Sequence, residues 1–366
     1  MKLGMTGFAL IAVSYGLARF SWGLMMPAVA QDIPFSPRLA GILSACSFAA
    51  YCLSISAAAT LNKRYGPRFP SAVSALSAAF GLLLLAAAAS PVMLGVGLFI
   101  AGISAGFSSP SLAAAVSRCV SASRQTQVNT LINAGTGAGI ILSVPLLSFL
   151  PWRTACLVFA VIALLCLWPV LRYLPRGAQL QAEARKGTLF SRGVVRLALI
   201  ALLSGMMSAA WWSFGPQVLR QQMAMADSLI SILWCVCGAA GILGGAFTGP
   251  IARYIGMRQV YRLALLFMTA PLLLMAFSHA FSWWLIPAVA LCGAGYITLS
   301  GVLLVRGAEA TPATPAFGVG IAFFMLAAGQ VAGAVILSLI YAQAGVALAF
   351  GLFALLGLLL LFFTPD

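Results

Sequence analysis

The stretch 154–174, TACLVFAVIALLCLWPVLRYL, holds a single charged side chain, Arg172, close to its end. About 20 apolar residues in a helix cross the hydrocarbon of a bilayer. A strand of a membrane barrel would alternate polar and apolar residues, and this stretch does not. Backbone groups in lipid must be satisfied within the segment, so it reads as a transmembrane helix. Working outward, runs of the same kind lie at roughly 4–30, 38–61, 69–89, 91–116, 127–150, 196–218, 228–250, 260–279, 283–305, 316–341 and 344–363. With 63% hydrophobic and 7% charged residues, the chain falls outside the range of soluble domains. It reads as an all-α membrane protein with twelve transmembrane helices.

The charges set an orientation. If the N-terminus is cytoplasmic, sixteen of the twenty Lys and Arg residues fall on that side, and Arg38, Arg153 and Arg220 on the other. The loops are short, which is where the positive-inside rule holds. Both termini are then cytoplasmic. The formal net charge of +15 reads as topology plus attraction to anionic lipid headgroups, so the bilayer is one expected partner. A nucleic-acid partner is not expected, because the bases are spread over separate loops without interleaved aromatics. Residues 1–30 resemble a signal peptide only in outline: the run is long and Arg19 breaks it, so it is read as the first span. The eight cysteines fall mostly inside spans and read as packing residues, and no pattern calls for a metal or cofactor.

An embedded enzyme would need paired carboxylates, a His–acid pair or a metal cluster at bilayer depth. The five acids lie at span ends or between spans, and the single histidine, His279, at the outer end of span 9. No lysine falls in a span either. The chain therefore reads as a non-enzyme.

The longest polar stretch between spans, Pro175 to Arg192, divides six spans from six. The expected organisation is an N-terminal half over 1–174, a cytoplasmic linker over 175–192 and a C-terminal half over 193–366. The halves echo each other at an offset near 190. Trp22 and Pro27 match Trp211 and Pro216. Lys63-Arg64-Tyr65-Gly66-Pro67-Arg68 matches Arg253-Tyr254-Ile255-Gly256-Met257-Arg258, and Gly135 with Gly139 matches Gly329 with Gly333. Two six-helix halves of like orientation are a parallel-repeat plan of secondary transporters.

On these residues the chain resembles the major facilitator superfamily over essentially its whole length. The loop after span 2 resembles that family's G-x-x-x-D-R-x-G-R-R, with Lys63 at the acidic position. Gly135 and Gly139 resemble its G-x-x-x-G-P exporter motif, with Ile140 in place of proline. Gly16-Leu17-Ala18-Arg19-Phe20 followed by Pro27 resembles the G-x-x-R-F…P pattern of a bacterial permease branch. The resemblance implies an inner-membrane transporter that works as a single chain. It also implies that spans 1, 4, 7 and 10 line a central cavity. Lys63, Arg64, Gly66, Arg68, Arg253, Gly256, Arg258, Gly135 and Gly139 are the conformational or gating candidates. Glycines four apart, as in Gly241, Gly245 and Gly249, also let helix backbones approach closely in lipid.

Arg19 is the one base inside a span, about 23 Å from the start of its run and about 17 Å from the end at 1.5 Å per residue. Burying it costs at least ~2.5–3.5 kcal/mol, so its partners must compensate. A planar, permanently charged fork suits a carboxylate or phosphate. The other reading ties helices together through carbonyls. Tyr15, Trp22 and Met26 lie within three to seven residues of Arg19 on one side of span 1, and Ser208, Trp211 and Trp212 form a comparable stripe on span 7. Cavity-lining candidates elsewhere are Ser104 and Ser108, Tyr296 and Ser300, and the amides Asn133 and Gln330. Asp32 is the candidate proton site. The expected function is transport of a small organic solute, preferably an organic anion, by alternating access. The alternative is a proton-driven exporter of neutral or cationic amphiphiles, in which Arg19 is structural.

Overall fold

The structure, a computed structural model, describes residues 2–177, 191–278, 280–312 and 315–365. His279, Glu183 and most of the expected linker lie outside the described residues. The described chain is helical: α1 (Lys2–Asp32), α2 (Pro37–Tyr65), α3 (Arg68–Ala86), α4 (Pro91–Cys119), α5 (Ala122–Phe149), α6 (Trp152–Tyr173), α7 (Arg192–Gln221), α8 (Asp227–Ile255), α9 (Met257–Phe277), α10 (Leu285–Ala310) and α11 (Pro315–Leu360). Eleven helices among the described residues are long and apolar enough to cross a membrane. The eleventh is interrupted at Gly345, whose φ of 79° and ψ of −178° are not helical. The sequence runs 316–341 and 344–363 thus fall on the two arms of one bent element.

Local chemistry sets the ends. Ser90 and Ser191 accept from the backbone N–H three residues on, at Met93 and Val194, and so cap α4 and α7. Gly66 and Gly256 terminate α2 and α8 with φ of 76° and 81°, a conformation glycine adopts without a Cβ penalty. Along α6, Ala155, Cys156, Phe159, Ala160, Ala163, Cys166 and Val170 form the buried stripe. The opposite face is just as apolar and open: Leu165 is 68% and Trp168 66% exposed. A helix that is apolar all round belongs in lipid.

The chain forms two compact units, Met1–Phe35 with Cys46–Gln181, and Ser36–Ala45 with Ala182–Asp366. Within the first, α1 and α5 meet backbone to backbone: a Cβ on Gly135 would fall on the carbonyl of Phe8, and one on Gly139 on that of Ala12. Within the second, Gly329 stands against the carbonyl of Leu202 and Gly333 against that of Met206, joining α11 to α7. Adding 194 to Phe8, Ala12, Gly135 and Gly139 gives Leu202, Met206, Gly329 and Gly333. A second pair of seams joins Gly102 of α4 to the Ser47 carbonyl, and Gly293 of α10 to the Cys237 carbonyl. On α8 the close approach is made by Gly244, against Ala294. Gly249, expected on one seam with Gly241 and Gly245, has no atom within 4 Å of an added Cβ. Gly241 and Gly245 do face α10, each against the Ile297 side chain, so the seam ends one turn before Gly249.

The first helix of each unit departs from α-helical geometry. Ala12–Phe20 in α1 and Ala210–Phe214 in α7 are π-helical. The Ser21 N–H reaches the Gly16 carbonyl five residues back. Pro216, which lacks an N–H, sits two residues after the end of the second segment. Such wide turns recur at functional sites.

Candidate functional site

Two buried clusters form around these π segments, one in each unit. In the first unit the wide turn brings residues five apart onto one side of α1, so Tyr15 and Phe20 lie 6.4 Å apart, ring centre to ring centre. Arg19 projects beside them and is 5% exposed. Its guanidinium carbon lies 4.6 Å from the centre of the Tyr51 ring, 4.7 Å from Phe48, 5.3 Å from Phe20 and 5.6 Å from Tyr15. Hydroxyls hold the cage in place: Ser109 donates to Tyr15 at 3.0 Å, and Tyr15 donates to Tyr51 at 3.3 Å. A desolvated cation–π contact contributes roughly 0.5–2 kcal/mol. Four of them offset the ~2.5–3.5 kcal/mol of placing a guanidinium at the bilayer centre. Ring faces stabilise the cation without neutralising it.

Of the residues expected near Arg19, the structure brings in Tyr15. Trp22 and Met26 are also buried, further along α1. Phe48, Tyr51 and Ser109 are additions. Ser104 and Ser108 sit in the α1–α4 contact: Ser108 shares a hydrogen bond of 3.0 Å with Ser14, and Ser104 donates to the Ala101 carbonyl at 2.6 Å. Both are fully buried, and their bonds are to helix backbone and a neighbouring hydroxyl. Asn133 is exposed on α5. Asp32 is exposed at the end of α1, where it accepts a 2.7 Å hydrogen bond from the Trp152 indole.

The second cluster is aromatic and uncharged. Trp211 and Trp212, both on the π segment of α7, flank Trp234 of α8 at 5.7 and 5.6 Å between ring centres. Trp212 meets Tyr296 of α10 edge-on at 5.2 Å. From α11, the Gln330 amide donates to Ser208 at 3.1 Å and to the Tyr296 hydroxyl at 3.2 Å. Gln330 is fully buried, so this amide, unlike Asn133, belongs to a cluster. Ser300 turns back to the Tyr296 carbonyl at 2.9 Å. Trp234 is the residue that sequence reasoning missed. Its indole N–H is buried with no acceptor among the described residues.

The two copies of the basic turn also differ. Arg68 donates through Nε to the Leu174 carbonyl at 2.7 Å, and also through a terminal nitrogen. Gly66 stands against the Gly177 carbonyl, which accepts from Arg118 at 2.9 Å. Lys63 and Arg64 are exposed, with Arg64 over the Tyr65 ring. Arg253, Gly256 and Arg258 are all exposed, and a Cβ on Gly256 would meet nothing.

The chain belongs to the Major Facilitator Superfamily, whose family model matches residues 8–325. The fold is also that of solved transporters. A point mutant of the nucleoside transporter NupG superposes with a TM-score of 0.77 at 14% identity, covering 98% of each chain. A POT family transporter in complex with 5-aminolevulinic acid superposes with a TM-score of 0.80 at 14% identity, covering 100% of this chain and 95% of that one. No curated protein sequence matches. The protein is therefore a multi-pass membrane protein of a transporter family, which indicates transmembrane transport rather than enzymatic chemistry.

Proposed function

We propose that this chain carries a small organic anion across the bacterial inner membrane by alternating access, with Arg19 contacting the anionic group. The observation that carries this reading is the four-ring cage, which holds a buried, permanently charged guanidinium among aromatic faces midway along the first span. A guanidinium held in one orientation presents a two-pronged donor to carboxylate or phosphate. Only five acids occur in the sequence, all at span ends or between spans, so an intramembrane carboxylate is not the coupling group. Uniport, anion exchange or a proton carried on the substrate fits that composition.

Twelve crossings in two six-helix halves, 1–174 and 193–366, complete the proposal, with both termini cytoplasmic and a single chain as the working unit. The 194-residue step between the glycine seams supports the duplication. At 1.5 Å per residue, the 44 residues of Phe317–Leu360 would run about 66 Å if straight. That is twice a bilayer core, so the bend at Gly345 supports two crossings.

The tryptophan cluster favours a second reading, an exporter of neutral or cationic amphiphiles with Arg19 as a structural cation. A thermal-shift screen of purified protein against organic anions, neutral metabolites and lipophilic cations separates the two, since a ligand of the native state raises Tm by mass action. The anion reading expects anions to stabilise the wild type and not Arg19→Gln. Stabilisation of both proteins alike by cations or neutral amphiphiles supports the exporter.

A further inference from the structure

One face of α7 changes chemistry with depth. Arg192, Arg196, Leu199 and Leu203 stand at helical spacings of four, three and four residues, so they form a single stripe with both charges at its start. Together with Leu360 at the end of α11 and Phe363 just beyond it, they line a cavity of about 450 Å³. Among the described residues, the lining contains two guanidinium-bearing residues and no acidic one. Like charges four apart on a helix repel each other, so the stripe gains from an anion between them. A third guanidinium lies close by: Arg262 Nε donates to the Leu361 carbonyl at 3.2 Å, next to the Leu360 wall. From Arg192 to Leu203 the stripe runs about 16 Å at 1.5 Å per residue, close to the depth of one leaflet of a roughly 30 Å hydrocarbon core.

We infer that this groove is a binding site for one anionic phospholipid, with its phosphodiester on Arg192 and Arg196 and an acyl chain along Leu199, Leu203 and Leu360. Both halves of that ligand are matched on the stripe, charge above and hydrocarbon below. A second groove, of about 290 Å³ between α8, α9 and α10, is lined by apolar residues and two threonines. It lacks the charged mouth and so selects no headgroup. The inference rests on the reading that the start of α7 meets a headgroup layer. It does not depend on which face is cytoplasmic.

The test is native mass spectrometry of the full chain released from nanodiscs containing equal phosphatidylglycerol and phosphatidylethanolamine. Both leaflets then present the same lipids, so a wrong orientation leaves the binding result unchanged, and transport is not the readout. The site predicts one retained phosphatidylglycerol per chain. Arg192→Gln with Arg196→Gln should lower its occupancy at least tenfold, and Leu199→Trp should do so with both charges intact. The exposed pair Arg253→Gln with Arg258→Gln should leave it unchanged. Equal retention of phosphatidylethanolamine, undiminished binding in the α7 double variant, or an equal loss in the control pair would each overturn it. The last result would mean diffuse attraction to positive charge. Size-exclusion profiles matching the wild type establish that each variant is folded.

Discussion

The Arg19 cage and the tryptophan cluster are built on the same part of their units, a π segment in the first helix, and differ in what fills it. In α1 the wide turn presents a cation, and α2 supplies two rings to cover it. In α7 it presents two indoles, and α8 supplies a third. The backbone seams beside them are alike, residue for residue, at a step of 194. Backbone contact is shared by the two units, and the side chains beside it set the chemistry of each cluster. One cluster offers charge, and the other aromatic surface and amide donors.

The comparison is broken most severely at the seams. Gly139→Val and Gly333→Val each push a branched side chain into a neighbouring backbone, where no side chain can move aside. Overpacking of this kind costs about 1–3 kcal/mol or more. Both variants should lose most folded protein, to a similar extent, as read by size exclusion in detergent. A large loss in one unit only would end the equivalence. Next in size is Tyr51→Leu, which removes the nearest ring over Arg19 and the acceptor for Tyr15. It should lower stability by roughly 1–3 kcal/mol, whereas Tyr51→Phe keeps the ring and should cost about 1 kcal/mol or less. Thermal melts of the two variants read that difference.

In the second cluster, Gln330→Leu strips donors from Ser208 and Tyr296 and should cost about 1 kcal/mol. Trp fluorescence should shift as the packing around Trp212 relaxes. The last comparison separates the two turns, by the difference between two substitutions. Gly66→Ala meets the Gly177 carbonyl as well as an unfavourable positive φ, while Gly256→Ala meets only the φ. The second should cost about 1 kcal/mol and the first more. Equal melting temperatures would mean that the Gly177 contact carries no weight.

Much of this was legible in the sequence, and the rest was hidden for physical reasons. The hydrophobic runs located the helices to within a few residues, because lipid demands continuous apolar length. The break between 341 and 344 appears as a bend at Gly345, since a glycine with positive φ can turn a chain without ending its apolar pattern. The π segments left no trace, as one extra residue in a turn does not alter an all-apolar face. Arg19 stood out because charge is rare in a span. Its cage did not, and neither did Trp234 of the other cluster: Phe48 and Tyr51 lie on α2, and Trp234 on α8, helices that the family resemblance does not assign to a cavity. An aromatic side chain deep within a span, away from the interfacial belt where such residues collect, was the available signal. Asn133 and Gln330 looked equivalent by position, and only burial separated them.

The central claim is that the Arg19 guanidinium itself contacts an anionic solute. The most direct measurement is exchange of a radiolabelled organic anion, chosen as the strongest stabiliser of the wild type, across sealed proteoliposomes bearing wild type, Arg19→Lys or Arg19→Gln. The account predicts saturable exchange by the wild type, a raised KM with Arg19→Lys, which keeps the charge but loses the fork, and none with Arg19→Gln. Exchange by Arg19→Gln with an unchanged KM would contradict it and leave Arg19 as a structural cation.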